Sequence, residues 1–278
     1  MKVDFLILGA QKGGSTWLYN TIQKHPAVVT PRHEIHFFSD DENYNKGIDW
    51  YHSQFAAGNG PLLYGEKTPE YLTVIPTSNK KTSVDTCNRI YSYNKNMKLL
   101  VVLREPIARL RSAINHMYRT RRIAPWVSAY DLILGKHRDA AEGFSLLQNG
   151  LYFENLTEYF RLFPPEQIKI MFFETDVLER PSASLADVCS FLKIPFDLSF
   201  FPSPTGKQNE YQMSLPAITL NYFMPGLRPL NNRLNHIFPA YKVQIDSKTR
   251  SFLEEFYASS NKNLKTLCGS LPDSWTYC

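Results

Sequence analysis

Four short segments carry residue types that could act on a charged ligand. The first is Gly9-Ala-Gln-Lys12-Gly13-Gly14-Ser15-Thr16, directly after the apolar run 5–8. Paired glycines between a strand and a helix let several backbone N–H groups converge on one point, where the helix dipole adds partial positive charge. Lys12 adds a full charge, and the segment reads as a phosphate cradle. An ordinary tight turn is the plainer alternative, and the Lys, Ser and Thr beside the glycines weigh against it. The second segment is Val101-Val-Leu-Arg104-Glu-Pro106, followed by Arg109, Arg111 and Ser112. An Arg at the carboxyl end of a buried strand faces a ligand crevice, Pro106 opens a helix, and Ser112 lies about two turns along it. A fork-shaped guanidinium and a hydroxyl meeting at one point suit a terminal phosphate. A structural ion pair is the alternative there. The third segment, Pro31-Arg-His-Glu34-Ile-His36-Phe-Phe, alternates polar and apolar residues, so an extended chain puts Glu34 and His36 on one side. A carboxylate beside an imidazole near an anionic ligand can serve as a general base and its partner. Read alone, it is a solvated, charged strand end. The fourth, Gly65-Glu66-Lys67-Thr68-Pro69-Glu70-Tyr71, reads alone as a surface turn or strand end with charges of both signs.

Positioning these groups requires a sheet with helices on it. Short apolar runs at 3–8, 97–103 and 167–173 read as parallel core strands. Helices are expected over 15–24, 106–121, 151–163, 182–192 and 247–266. The alternation predicts an α/β fold, P-loop-like and three-layered, with a central parallel sheet flanked by helices and ligands at the carboxyl ends of its strands. Residues 200–239 hold six prolines and read as an irregular loop or lid, with one short helix near 218–223. The 278 residues, 43% hydrophobic, suit a single domain over 1–278 with a lid or acceptor region around 200–241. A net charge of +5, from 31 basic and 26 acidic residues, favours an anionic small ligand weakly and does not suggest nucleic-acid binding. No apolar run is long enough to span a bilayer, so neither a membrane partner nor a signal peptide is expected. Cys87, Cys189, Cys268 and Cys278 lack ligand or disulfide spacing and read as free thiols in the cytoplasm. No metal ligand set is apparent.

In order and spacing, these segments resemble the sulfotransferases that use 3′-phosphoadenosine-5′-phosphosulfate (PAPS), in particular the heparan sulfate branch and its bacterial single-domain relatives. The resemblance is carried by Gln11-Lys12-Gly13-Gly14-Ser15-Thr16, His25-Pro26, Glu34-Ile-His36-Phe-Phe38 and Lys46-Gly47-Ile-Asp-Trp50-Tyr51. Glu66-Lys67-Thr68-Pro69, Arg104-Glu-Pro106 with Ser112, Gly150-Leu-Tyr152 and Leu253-Glu-Glu-Phe256-Tyr257 extend it over most of the chain. Lys12 stands where this family places its lysine, two residues before the glycine that a Walker A lysine would follow. The resemblance implies that 12–16 bind the 5′-phosphosulfate and that Arg104 and Ser112 bind the 3′-phosphate. It implies Glu34 as catalytic base with Lys12, His36 and Lys67 around it, and in-line, metal-independent transfer. Thr16 departs from the Arg of several heparan sulfate enzymes. Their disulfide-closed loop has no cysteine pair here, and its role near the donor nucleoside is assigned to Thr205-Gly206-Lys207.

The acceptor implied is a hydroxyl or amine of a small natural product, of alkaloid or polyketide type, with a carrier protein as a conceivable presenter. A carbohydrate is the alternative. Specificity is expected from 117–126 and 208–241, with Tyr118, Trp126, Tyr130, Tyr211 and Tyr222 as candidate pocket aromatics. Arg119-Thr-Arg121-Arg122 is a candidate basic patch, or simply a solvated helix end. A nucleotide kinase would need Lys at position 15 and an Asp ending a later strand; the chain has Ser15 and Arg104. An inactive nucleotide-binding scaffold would have no use for Glu34.

Overall fold

The computed structural model describes residues 1–56, 62–75, 83–201 and 213–275. Five strands, β1 (Phe5–Gly9), β2 (Val28–Val29), β3 (Leu63–Lys67), β4 (Lys98–Leu103) and β5 (Ile168–Phe172), form one sheet in the order β2-β3-β1-β4-β5. Every pairing among them is parallel. The first helices are α1 (Ser15–Ile22), α2 (Asp41–Asn45), α3 (Gly47–Ser53) and α4 (Ser83–Tyr93). Next come α5 (Pro106–Arg119), α6 (Ala129–Ile133), α7 (Arg138–Gly143) and α8 (Tyr152–Leu162). The last are α9 (Pro181–Leu192), α10 (Leu215–Phe223), α11 (Arg228–Ile237) and α12 (Ser247–Cys268).

Side chains alternate across a strand, and the sheet uses that to build two layers. Leu6, Leu8, Leu99, Val101 and Leu103 pack on one side with Leu156 and Tyr159 of α8 and Leu264 of α12. Phe5, Ile7, Leu100 and Val102 pack on the other with Trp17, Leu18 and Ile22 of α1 and Leu185 and Val188 of α9. Burying such a side chain contributes about 1.5–3 kcal/mol, which is why these strands read as unbroken apolar runs. A third cluster is mainly helical and holds no residue of the five strands: Leu110 and Ile114 of α5, Leu132 of α6, Ala217 and Ile218 of α10, and Leu253 and Tyr257 of α12 are among its members.

Three of the strands and five of the helices lie where the sequence pattern puts them, to within about two residues at most ends. Two expectations are corrected. Residues 63–67 are an interior strand between β2 and β1, and Glu66 on it is fully buried, so this is no surface turn. The described part of 200–239 holds two helices rather than one in a loop. Pro216 and Pro229 sit in the first turns of α10 and α11, where the missing N–H and fixed φ favour helix initiation, so these prolines start elements instead of breaking them.

After β1 the chain builds β2 and β3 on one side, then crosses to place β4 and β5 on the other. The carboxyl ends of β1 and β4 therefore flank a topological switch point, the crevice where open α/β sheets take ligands.

Candidate functional site

The loop after β1 is tied down by backbone. Ala10 N–H donates to Val102 O at 2.8 Å and Gly13 N–H to Ala10 O at 2.9 Å. Lys12 (φ 65) and Gly14 (φ 112) both take left-handed conformations to turn the chain into α1. A Cβ on Gly13 would lie 2.4 Å from Val102 O, and one on Gly14 2.7 Å from Phe173 Cδ2. Only glycine lets the loop lie this close to β4. Gly14 caps α1 without a side-chain acceptor, and the first N–H groups of a helix have no partner inside it. Those of Ser15 and Thr16 are the groups an anion at this end of α1 would take.

At the carboxyl end of β4, Glu105 caps α5 by accepting from Ile107 N–H at 2.8 Å and Ala108 N–H at 2.6 Å. This fixes the helix start directly after Arg104. Lys12, Ser15, Thr16, Glu34, Arg104 and Ser112 all border a single cleft of about 770 Å³. His36 borders it too, whereas Gly13 lies behind the cradle against β4. Gly206 and Lys207, with Thr205 and Tyr211, lie outside the described residues. Among the described residues, six Lys and Arg side chains (Lys12, Arg104, Arg111, Arg119, Arg122, Lys242) border this cleft against two carboxylates, Glu34 and Glu70.

That excess of positive charge shows in the titration of its members. Burial, then Arg119, Lys67 and Arg104, pull the Lys12 ammonium down to about 8, with Glu34 opposing. Burial also lowers Arg104, whose guanidinium lies 4.7 Å over the Phe173 ring. Nε of Arg104 and Nε of Arg111 are buried with no hydrogen-bond partner among the described residues. Buried donors are ordinarily satisfied, and an anion with several oxygens at this spot would satisfy both. The cleft thus fits a ligand with negative charge at two ends. Arg109, in contrast, is fully buried away from it and donates to Leu146 O as a structural group.

The acid–base residues form a chain of contacts. Lys67 Nζ sits 2.7 Å from Glu34 Oε1 and donates to Thr16 Oγ1 at 3.2 Å, which links β3 to the cradle. His36 lies between two carboxylates, with Nε2 3.6 Å from Glu34 and Nδ1 3.5 Å from Glu70. The contact with Glu70 is the main cause of a pKa above the ordinary imidazole value; Glu34 and Glu66 add to it, and burial opposes. The segment is not simply extended, as the alternation suggested. His36 has φ 56, uncommon for a residue with a Cβ, and its N–H donates to Thr68 Oγ1 at 3.4 Å. Behind it, burial pushes the Glu66 carboxyl up to about 7, although it accepts from Tyr51 at 2.9 Å and Tyr71 at 2.8 Å.

The rest of the cleft wall comes from α5 and the C-terminal region. Ala108, Ser112, Asn115, His116 and Arg119 follow helical spacing along one face of α5, and Met213, Ile218, Tyr241 and Lys242 continue the lining beside them. His116 is held down to about 4 by burial and by Lys12, Arg119 and Arg122, so it is a neutral imidazole at neutral pH. A smaller chamber of about 340 Å³ adjoins the cleft through Gln11, Glu70, His116 and Arg122, with Phe144 and Asn149 behind. Among the candidate aromatics, Tyr118 is buried and donates to Val127 O, while Trp126 stacks outward on Phe223. Neither borders the cleft, and neither do Tyr130 and Tyr222.

Several cleft residues were not singled out from the sequence. His116 and Asn115 were within reach of it, one turn beyond Ser112 on the same helical face. Phe173 was too, at the carboxyl end of a recognised strand. Tyr241 ends the stretch 208–241 from which specificity is expected, but neither it nor Lys242 was singled out, because only the fold returns them to the cleft. Among the described residues, no group of three His, Cys, Asp or Glu is placed to hold a metal ion.

A family model described as "Sulfotransferase domain" matches residues 2–213. The mouse "Heparan sulfate glucosamine 3-O-sulfotransferase 5" is 30% identical over 254 residues, which is 90% of this chain and 69% of that protein. Among solved structures, a sulfotransferase from Alicyclobacillus acidocaldarius superposes over 99% of both chains with a TM-score of 0.72 at 22% identity. The mouse sulfotransferase SULT7A1, complexed with PAP, covers 95% of this chain and 85% of its own at a TM-score of 0.52 and 13% identity.

Proposed function

The chain belongs to the sulfotransferase family and is a PAPS-dependent enzyme, and we propose that its acceptor is a hydroxyl or amine of a small natural product. PAPS supplies the sulfuryl group: the acceptor oxygen or nitrogen bonds to sulfur in line with the S–O bond to the 5′-phosphate, which breaks and releases PAP. The observation that carries the residue assignment is that Lys12, Arg104, Ser112 and Glu34 border one cationic cleft. Lys12 and the first turn of α1 hold the phosphosulfate end, where Lys12 faces the charge that grows on the departing oxygen. Arg104 and Ser112, across the switch point, hold the 3′-phosphate. Glu34 takes the proton of the attacking acceptor group. Lys67, 2.7 Å from Glu34, fixes the orientation of that carboxylate, and His36 braces its other oxygen. Thr205, Gly206 and Lys207 remain the candidates for the nucleoside.

The cleft and its side chamber, about 770 and 340 Å³, fall in the size range of small-molecule sites, which supports a compact acceptor. A carbohydrate acceptor is the second reading. It is favoured by the acceptor in the name of the mouse relative and by the cationic wall of Arg119, Arg122 and Lys242.

Titration calorimetry with PAP, and with ATP with and without Mg²⁺, tests the donor assignment. Tight, metal-independent PAP binding is expected; Mg²⁺-dependent ATP binding in its place would overturn it. A mass-spectrometric screen with labelled donor, offering hydroxylated and amine-bearing small molecules beside unsulfated glucosamine saccharides, decides the acceptor. Transfer to saccharides alone would replace the first reading with the second.

A further inference from the structure

The α10–α11 hairpin turns one side to the cleft and leaves the other uncovered. On that outer side Phe223 is 65% exposed, Met224 56% and Ile237 69%. Trp126, 63% exposed, stacks on Phe223 with ring centroids 5.8 Å apart. At 3.6 residues per turn, Leu230, Leu234 and Ile237 share one arc of α11, with Leu227 just before the helix. Leu234 packs on the helical core at the edge of that arc, while Leu227, Leu230 and Ile237 face solvent. A soluble surface does not ordinarily cluster large apolar side chains in this way.

The two segments that bear this stripe carry charge of one sign. Residues 106–130 and 211–245 contain no Asp or Glu. Asn221 of α10 donates to Arg119 O at 3.0 Å, which joins the two acid-free segments into one face. Arg121, Arg122 and Arg233 are exposed on them. A second copy of the chain meeting this face through a two-fold axis would set cation against cation. An acidic protein would match the charge, but it would leave unexplained Trp126, Phe223, Met224 and Ile237, four large apolar side chains each more than half exposed. Outward Trp, Phe, Leu and Ile with flanking Arg are the composition that settles at the headgroup–acyl boundary of a bilayer.

We propose that this face rests on an anionic lipid surface, with Phe223, Met224, Leu230 and Ile237 at the acyl boundary and Arg121 and Arg233 among the headgroups. No described helix is long and apolar enough to span a membrane, and an interfacial attachment needs none. The expectation of no membrane partner rested on the lack of a span, so it does not bear on this mode. Met213 and Ile218, at the inner side of the same hairpin, border the cleft, so the attached enzyme holds its acceptor wall close to the bilayer.

The test is flotation of the full chain with phosphatidylcholine vesicles, with and without about 30% phosphatidylglycerol. Wild type is expected to float with the anionic vesicles, less so at high salt, and not with phosphatidylcholine alone. M224S/I237S alters two exposed side chains that do not border the cleft; it should reduce partitioning roughly tenfold and leave PAP affinity unchanged. Equal flotation of the variant, or no flotation of wild type, overturns the proposal. So does self-association that the variant abolishes, or capture by a soluble polyanion in the absence of vesicle binding. Should the variant fold poorly, quenching of Trp126 emission in the unaltered chain by brominated acyl chains decides. Quenching on anionic vesicles supports the attachment, and its absence refutes it.

Discussion

The two walls of the cleft are built by different means. The cradle and Arg104 hang from the carboxyl ends of β1 and β4, between two apolar layers that clamp the sheet from both sides. The opposite wall, from Arg119 to Lys242, rides on the helical cluster of α5, α6, α10 and α12, with no strand beneath it. The sheet-borne loop has no room to shift, since a Cβ added at Gly13 or Gly14 would lie 2.4 or 2.7 Å from its nearest neighbour. Helix-borne side chains on the other wall hold charge and shape without that exactness. Under the proposed assignment, one wall is tied to a single donor, and the other is free to vary with the acceptor.

Glu34 stands where the walls meet, and its loss should have the largest effect. Glu34→Gln is expected to lower kcat by about 10²–10⁴-fold while PAP affinity, measured by calorimetry, stays near wild type. Unchanged turnover would remove Glu34 from the chemistry and leave the walls without a shared catalytic group. Next in size, Arg104→Ala should weaken PAP by about ten- to a hundredfold, the range of a charged hydrogen bond. Adenosine 5′-phosphosulfate, which lacks the 3′-phosphate, should be nearly unaffected. Equal losses for both ligands would mean that Arg104 does not read that end of the donor.

Lys12 gives the donor wall a pH signature. In the free enzyme its ammonium titrates near 8, well below the ordinary 10.5, so it loses its charge as pH rises through that value. An anionic ligand binds the charged form, and PAP affinity should therefore fall above pH 8, by up to about tenfold per pH unit. Lys12→Arg, which stays charged, should flatten the profile; an unchanged slope in the variant would place the titration elsewhere. Smallest is the acceptor wall. Arg122→Ala should raise acceptor KM about threefold, as expected for a solvent-exposed charge, with donor KM unmoved. A matching change in donor KM would erase the division between the walls.

Much of the donor wall was legible because its physics leaves few choices of residue. A loop that presses backbone against backbone needs glycine, a phosphate needs Lys, Arg or hydroxyl at a helix start, and a strand buried on both faces needs an unbroken apolar run. Those demands are local and leave marks at fixed spacing. Strand β3 was missed because Leu-Tyr-Gly-Glu-Lys shows no such run; Glu66 is tolerated inside because Tyr51 and Tyr71, at other places in the chain, donate to it. Helix α11 was missed, and only the later part of α10 was read, because proline has two local meanings, and only the surrounding helix chooses between them.

By itself, then, the sequence determined the cradle, the strands that carry it, and the facing Arg and Ser, since each is a short-range requirement of backbone geometry or charge. Only the tertiary structure decided that Lys67 reaches Glu34, that His36 is held between two carboxylates, and that Tyr241 and Lys242 close the cleft. Those partners lie between two and 34 residues apart for the first two, and on separate elements for the last. Their meeting depends on how the sheet and the helical cluster pack, which no local pattern encodes.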